Sequence, residues 1–279
     1  MATHHLGPAG WLVVAPKDQP DQGEGIIVPF VLDNHTGWVG YFCVNEACQG
    51  LGWGAALFRS CLETFEKAGA KTVGLDAVEA QIKTYERRGF QVASQVKLMI
   101  RKSVREKPLG DGFEHVDVDG ERLVPLEDIP SDVLVKSDMG ITGFERGKLW
   151  SKEAMFECRD DAWGLALVSH HAEDQLDGWV LVRSCQEGYR IGPLYANDRK
   201  EAAFLLHQAL YRLQGKAGSF IAEVWGSNEE AMGVFEEAGW EYSGMDYYRM
   251  WLDGRVPVEQ QKGGKAEKEM WAVFDAGQS

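Results

Sequence analysis

Gly40-Tyr41-Phe42-Cys43-Val44-Asn45-Glu46-Ala47-Cys48-Gln49-Gly50-Leu51-Gly52-Trp53-Gly54-Ala55-Ala56-Leu57 is the stretch whose reading decides the fold. Its first part is an aromatic and β-branched run, the composition of a buried strand. A polar elbow follows, then glycine at alternate positions, then apolar residues at helical spacing. Glycines 50, 52 and 54 let a ligand approach the backbone with no Cβ in the way. The N–H groups of the first helical turn lack intrahelical partners, so a bend of this kind attracts an anion.

Two kinds of phosphate loop fit that physics. Gly50-x-Gly52-x-x-Ala55 meets the dinucleotide fingerprint, and Asp76, at the end of a later apolar run, could meet a ribose. In that fold the first glycine follows its strand directly, whereas here Asn45 to Gln49 intervene, and the residues before the strand pattern as antiparallel hairpins. Gln49-x-x-Gly52-x-Gly54, led in by Val44-Asn45-Glu46, resembles the pyrophosphate loop of the GNAT N-acyltransferases. Downstream, Lys71–Ala77 reads as a strand and Ala80–Arg88 as a short helix. Tyr85-x-x-x-Gly89-Phe90 resembles the second signature of that family, at the family's separation from the first.

Composition narrows the function classes. The chain has 279 residues, 44% hydrophobic and 11% aromatic, enough for two folded units. A net charge of −14 argues against a nucleic-acid surface, which needs clustered Lys and Arg. It is compatible with a cationic acceptor. No run is apolar and long enough to span a bilayer, and no signal-peptide layout opens the chain, so a cytoplasmic protein without membrane partners is expected. The five cysteines, Cys43, Cys48, Cys61, Cys158 and Cys185, show neither paired nor metal-ligand spacing, so no metal is expected.

Taken in order, Trp11–Ala15, Ile26–Leu32 and the organising strand form three successive antiparallel strands, joined by turns at Pro16–Gly25 and Asp33–Gly37. The helix from Trp53 to about Ala68 is expected to turn Ala56, Leu57, Ser60, Cys61 and Phe65 inward. Gln91–Arg101 reads as a strand, and Lys102–Arg122, rich in Gly, Asp, Glu, Lys and Pro, as a linker. The second half repeats this order. Asp138–Arg146 leads into a helical stretch, and Trp163–Ser169, Gly178–Ser184 and Tyr189–Leu194 are strands. Asp198-x-x-Glu201 opens a helix with a capping box. Phe220–Trp225 is a strand, Asn228–Glu237 a helix, Gly254–Lys268 an exposed loop, and Met270–Phe274 a strand closing the second sheet.

Gly143-Phe144-x-Arg146, Ile191-Gly192-Pro193-Leu194-Tyr195-Ala196 and Arg249-Met250 resemble the YitH-like second domain of two-domain GNAT proteins. Leu75-Asp76-Ala77 and Tyr85-Glu86-Arg87-x-Gly89-Phe90 resemble that group's first domain. The resemblance implies an α/β (α+β) fold of two tandem GNAT-like domains, each a mixed, mostly antiparallel twisted sheet flanked by helices. Residues 1–102 would be the acetyl-CoA-binding catalytic domain, 103–122 the linker, and 123–279 a second domain without coenzyme. The first domain would be N-terminally short, lacking the strand and helices that carry much of the family's acceptor site.

The resemblance also implies roles. Cys43 and Val44 would pair with the pantetheine arm of acetyl-CoA, and backbone N–H groups of Gln49, Gly50, Leu51, Gly52, Trp53 and Gly54 would hold its diphosphate. Tyr85 would protonate the departing thiolate. Glu46, Asp76 and Glu79 lie near the expected cleft, and the base among them stays unassigned. Cys48 beside the helix start could have a lowered pKa. In the second half Asn197-Asp198-Arg199-Lys200-Glu201 stands where the glycine loop would be, and Phe235 stands at the offset of Tyr85. Asp138, Arg146, His170, His171 and Trp225 are candidates to line that half's cleft. The expected activity is acetyl transfer from acetyl-CoA to a primary amine on a small molecule or peptide, with a homodimer left open. The rival readings are a non-catalytic acyl-CoA-binding or interaction protein and an NAD-dependent oxidoreductase.

Overall fold

The computed structural model describes residues 10–107, 121–158, 161–169 and 176–278. The first half comprises β1 (Leu12–Val14), β2 (Gly25–Val31), β3 (Thr36–Val44), α1 (Trp53–Lys67), β4 (Thr72–Val78), α2 (Ile82–Glu86) and β5 (Phe90–Arg101). The second half comprises β6 (Glu121–Pro125), α3 (Ser131–Thr142), β7 (Ala162–Ser169), β8 (Leu176–Cys185), β9 (Gly188–Ala196), α4 (Arg199–Arg212), β10 (Ser219–Trp225), α5 (Ala231–Glu237), β11 (Glu241–Leu252), α6 (Ala266–Glu269) and β12 (Met270–Ala272). Most of the expected linker lies outside the described residues.

The mixed, mostly antiparallel architecture expected of both halves is present, and the halves are joined into one sheet of twelve strands. Its order is β1-β2-β3-β4-β11-β5-β10-β12-β9-β8-β7-β6. Strands are exchanged at the centre: β11, late in the chain, lies between β4 and β5 of the first half, and β5 in turn pairs with β10 of the second. Neither half's strands are contiguous by themselves: β4 and β5 meet only through β11, and β11 reaches β10 only through β5.

The exchange is sealed by side chains. Trp38 of β3, Phe144 after α3 and Trp251 of β11 make a mutual aromatic contact with ring centroids 5.7 to 6.0 Å apart. They belong to one buried cluster that also holds Phe30, Trp150, Trp179, Trp225 and Phe274 from both halves. Arg249 of β11 crosses back to Asp76 of β4 with two parallel hydrogen bonds of 2.9 and 2.7 Å. Its guanidinium lies 4.9 Å from the ring centres of both Trp38 and Trp225.

Two local readings differ from the structure. On α1 the buried residues are Leu57, Phe58, Cys61 and Phe65, whereas Ala56 and Ser60 face solvent. Phe58 is drawn inward by Phe42, Tyr85 and Phe90, which surround its ring at 5.7 to 5.9 Å. In the second half, Asp138 to Thr142 end a helix instead of leading into one, and left-handed Gly143 caps α3.

Candidate acyl-coenzyme cleft

The cleft begins where two strands part. β3 and β4 run parallel and pair only at Thr36–Trp38 with Thr72–Gly74. Beyond that point the outer edge of each strand stays paired, β3 with β2 and β4 with β11. The inner edges of residues 39–44 and 75–78 diverge, leaving backbone amides and carbonyls facing a wedge that an extended chain could fill as an added strand. Tyr41, in the diverging part of β3, has a φ of +50°, a strained conformation for a non-glycine residue.

At the β3 end of the wedge the elbow closes through a short 3-10 turn at Glu46–Cys48, and the Gln49 amide donates to the Val44 carbonyl at 3.1 Å. Gln49 therefore shapes the loop through its side chain. Gly50 and Gly52 both take left-handed φ values, +77° and +86°, with open space where a Cβ would stand. Gly52 is the residue before α1, and the first helical hydrogen bond runs from Ala56 N–H to the Gly52 carbonyl. The earlier N–H groups of that turn have no intrahelical acceptor. The bend thus fits a diphosphate in both shape and dipole.

At the other end lies a cavity of about 370 Å³, lined by Tyr41 and Phe42 of β3, Asp76 and Ala77 of β4, and Tyr85 of α2. Tyr85 packs against Phe58 and Phe90, and burial raises its hydroxyl pKa despite the nearby Arg88 charge. It is held as a phenol, the form that can donate a proton. The remaining walls come from the second half: Arg190 of β9, Glu223 of β10, Tyr247 of β11 and residues 275–277. Arg190 bonds Glu223 at 2.6 Å, and Glu223 also accepts the Ala276 N–H at 2.6 Å. Burial raises the Glu223 carboxyl pKa, with Arg190 opposing the shift.

Of the three carboxylates considered from sequence, one, Asp76, borders the cavity. Glu46 and Glu79 are exposed. Asp76 is sequestered by Arg249, with its side chain fully buried, and is not available to a ribose or as a proton acceptor. Cys48 has its thiol pKa raised by desolvation and by the Glu24 carboxylate, the reverse of the lowering considered from its place beside α1. Glu223 carried a signal in the sequence: it is the lone carboxylate inside the apolar strand Phe220-Ile221-Ala222-Glu223-Val224-Trp225. Asp275, just past an apolar run, carried none.

The second half has a corresponding wedge, and its own chain fills it. β9 and β10 pair in parallel at Gly188–Arg190 with Ser219–Ile221, then separate. β12 enters the gap, pairing Met270 with Tyr195, Ala272 with Leu194, and Ala272 with Val224. The Trp271 indole donates to the Ala196 carbonyl at 3.1 Å. Gly192 leaves room for this insertion, since a Cβ there would stand 2.4 Å from the Val273 carbonyl oxygen. The start of α4 is satisfied by its own side chains: Asp198 accepts the Glu201 N–H at 2.9 Å, and Glu201 accepts the Asn197 N–H at 2.8 Å. Phe235, at the offset of Tyr85, is buried against Trp240.

Asp138 and Arg146 form a buried cluster in which Asp138 accepts from Arg146, the Trp150 indole and the Tyr195 hydroxyl. They and Trp225 are core residues. His170 and His171 lie outside the described residues. Among the described residues no His, Cys, Asp and Glu cluster is placed to hold a metal ion, and no helix is long and apolar enough to cross a membrane.

Comparison with known proteins agrees with this geometry. A model described as the acetyltransferase (GNAT) family matches residues 6–90, and one described as an acetyltransferase (GNAT) domain matches residues 136–262. Among curated proteins, the holothin acyltransferase of Pseudoalteromonas sp. (strain SANK 73390) is 25% identical over 173 residues, covering 62% of this chain and 52% of that protein. The chain thus spans about half the length of this relative. Among solved structures, a candidate acetyltransferase from Pyrococcus horikoshii superposes with a TM-score of 0.74 at 21% identity, covering 100% of this chain and 83% of that one. A tandem GNAT protein from the clavulanic acid biosynthesis pathway superposes with a TM-score of 0.62 at 17% identity, covering 90% and 85%. With one GNAT match in each half, a parting of parallel strands in each, and a glycine bend at the first, the chain belongs to the GNAT acetyltransferase family.

Proposed function

We propose that the protein is an acetyl-CoA-dependent N-acetyltransferase whose coenzyme site lies in the first half. The observation that carries this reading is the contrast between the two wedges. The one between β3 and β4 has free backbone edges, a glycine bend at one end and a phenol-lined cavity at the other. The one between β9 and β10 is filled by β12. In this reading Cys43 and Val44 pair with the pantetheine amides, and the N–H groups from Gly50 to Gly54 hold the diphosphate. A primary amine enters the cavity beyond and attacks the thioester carbonyl directly. Tyr85 donates its proton to the leaving sulfur, a contribution of about 10²-fold or more for a well-placed acid.

The acceptor is a small-molecule or peptide amine, and the cytoplasm, where acetyl-CoA and free thiols coexist, is the location we assign. All five cysteines are free. The test is release of coenzyme A thiol from acetyl-CoA across a panel of primary amines, read against the rate without amine. Amine-dependent release supports the assignment. Saturable binding of acetyl-CoA with no amine-dependent release would favour a non-catalytic coenzyme-binding role. Absence of binding would remove the assignment altogether.

A further inference from the structure

The lining of the cavity beyond the wedge is drawn from both faces of the sheet. Val39, Leu75, Ala77 and Tyr85 belong to the apolar cluster under α1, the helix that begins at the glycine bend. Tyr247 packs against the cluster on the other face, where the two halves meet. Alternation along the strands separates the two: Val39 and Met250 point to the α1 cluster, and Trp38 and Trp251 to the other. A coenzyme seated at the bend occupies the α1 face, so the acceptor meets the thioester from the Tyr247 face.

On that face every carboxylate of the lining is already engaged. Asp76 is clamped by Arg249 at 2.7 and 2.9 Å. Glu223 accepts from Arg190 and from the Ala276 N–H, both at 2.6 Å. Asp275 accepts the Gly277 N–H at 2.8 Å and stands 3.7 and 3.9 Å from Arg190 and Arg183. The Tyr41 hydroxyl is bonded by the Gln278 amide. Three carboxylates thus stand among three guanidiniums, and an incoming cation finds no unpaired counter-charge. The Tyr247 hydroxyl differs, because no donor or acceptor among the described residues bonds to it. Its strand is paired on both sides, Tyr247 lying opposite Val78 of β4 and Val96 of β5, which fixes its place in the wall. Burial raises its hydroxyl pKa, so it remains a phenol.

Resting on the coenzyme site proposed above, we propose that the Tyr247 hydroxyl oxygen holds an N–H of the acceptor, and that the acceptor is a weakly basic primary amine, an aryl amine, which enters uncharged. An alkylammonium brought into this lining would lose its water and gain no counter-charge, a costly burial. An amine with a Lys-like pKa of about 10.4 is neutral in only about one molecule per thousand at pH 7.5. An aryl amine is neutral there, because its lone pair is shared with the ring. Such an acceptor has no proton to shed before it attacks, which suits a cavity whose carboxylates are committed to guanidiniums. The nitrogen bonds the thioester carbon, the carbon–sulfur bond breaks, and sulfur takes the Tyr85 proton. The surplus proton on nitrogen leaves to water, from which Tyr85 is reprotonated. Tyr247 keeps its own proton throughout. The rings of Tyr41 and Tyr247 suit an aryl body.

The test uses the full chain loaded with coenzyme A and two probes, aniline and benzylamine, followed by ligand-observed NMR titration. At pH 7.5 aniline should bind saturably and more tightly than benzylamine. Between pH 7 and pH 8 the affinity for benzylamine should rise about tenfold, tracking its neutral fraction, while that for aniline stays constant. Tyr247→Phe should weaken aniline binding by about five- to tenfold, the loss of one neutral hydrogen bond, and should bind coenzyme A as the parent does. The comparison across pH needs no variant. Aniline binding unchanged in Tyr247→Phe, benzylamine bound more tightly than aniline, a benzylamine affinity independent of pH, or no saturable aniline binding to the loaded parent overturns the inference while leaving the coenzyme site standing. Failure of the parent to bind coenzyme A overturns both.

Discussion

The ion pair between Asp76 and Arg249 gives the sharpest quantitative expectation, because one substitution separates two roles for the same carboxylate. Both side chains are buried, at 0% and 1% exposure, and two hydrogen bonds join them across the exchanged strands. Arg249 also reaches the Gln260 side-chain oxygen at 3.2 Å, and its charge lies between two indole rings. Asp76→Asn removes the negative partner and strands the guanidinium. Breaking one side of a buried pair costs about 3–5 kcal/mol. At roughly 2–4 °C per kcal/mol for a chain somewhat shorter than this, the melting temperature should fall by about 6–20 °C. The paired replacement Asp76→Leu with Arg249→Met removes both charges and should cost less than either single change. The parent, Asp76→Leu, Arg249→Met and the paired replacement form a double-mutant cycle in urea with a coupling energy on the order of 3 kcal/mol. The reasoning is refuted if Asp76→Asn melts within about 2 °C of the parent, or if the cycle shows no coupling. A carboxylate acting as the base would leave stability unchanged and depress turnover.

Other expectations follow from the same geometry. Tyr85→Phe should lower kcat by about 10²-fold and leave the KM for acetyl-CoA nearly unchanged; unaltered kcat would remove Tyr85 from the chemistry. Residues 1–102 expressed alone should show no cooperative unfolding transition, because β4 and β5 are joined only through β11; a sharp transition would contradict the strand exchange. Burial pushes the Cys61 thiol up to about 12, so at pH 8 roughly one in ten thousand is thiolate. A chromogenic disulfide reagent should therefore label exposed Cys43, Cys158 and Cys185 in the native protein and reach Cys61 only after denaturation.

Much of the local geometry was legible because its signals lie close together in the chain. A glycine with a left-handed φ before a helix, a tyrosine four residues ahead of a helix-ending glycine, and a capping box at Asp198 and Glu201 are each written within a few positions. What the sequence concealed is set by pairings between distant residues. Asp76 reads as a cleft carboxylate until Arg249, 173 positions later, is seen to cover it. Met270–Phe274 was legible as a strand too apolar for solvent, but its place inside the second wedge depends on the parting of β9 and β10. The same distance hid Asp275, whose neighbours across the cavity are Tyr41 and Tyr85. On α1, helical spacing alone could not choose between Ala56 and Phe58; the larger ring won the interior by packing against Phe42, Tyr85 and Phe90.

The most direct test of the account is calorimetric titration of the full chain with acetyl-CoA, in parallel with Gly52→Val. One molecule of acetyl-CoA should bind per chain. The substitution should abolish that binding, because a β-branched residue can neither take the left-handed φ of +86° without strain nor leave the bend open. Two molecules bound per chain, or a Gly52→Val variant that binds as tightly as the parent, would contradict it.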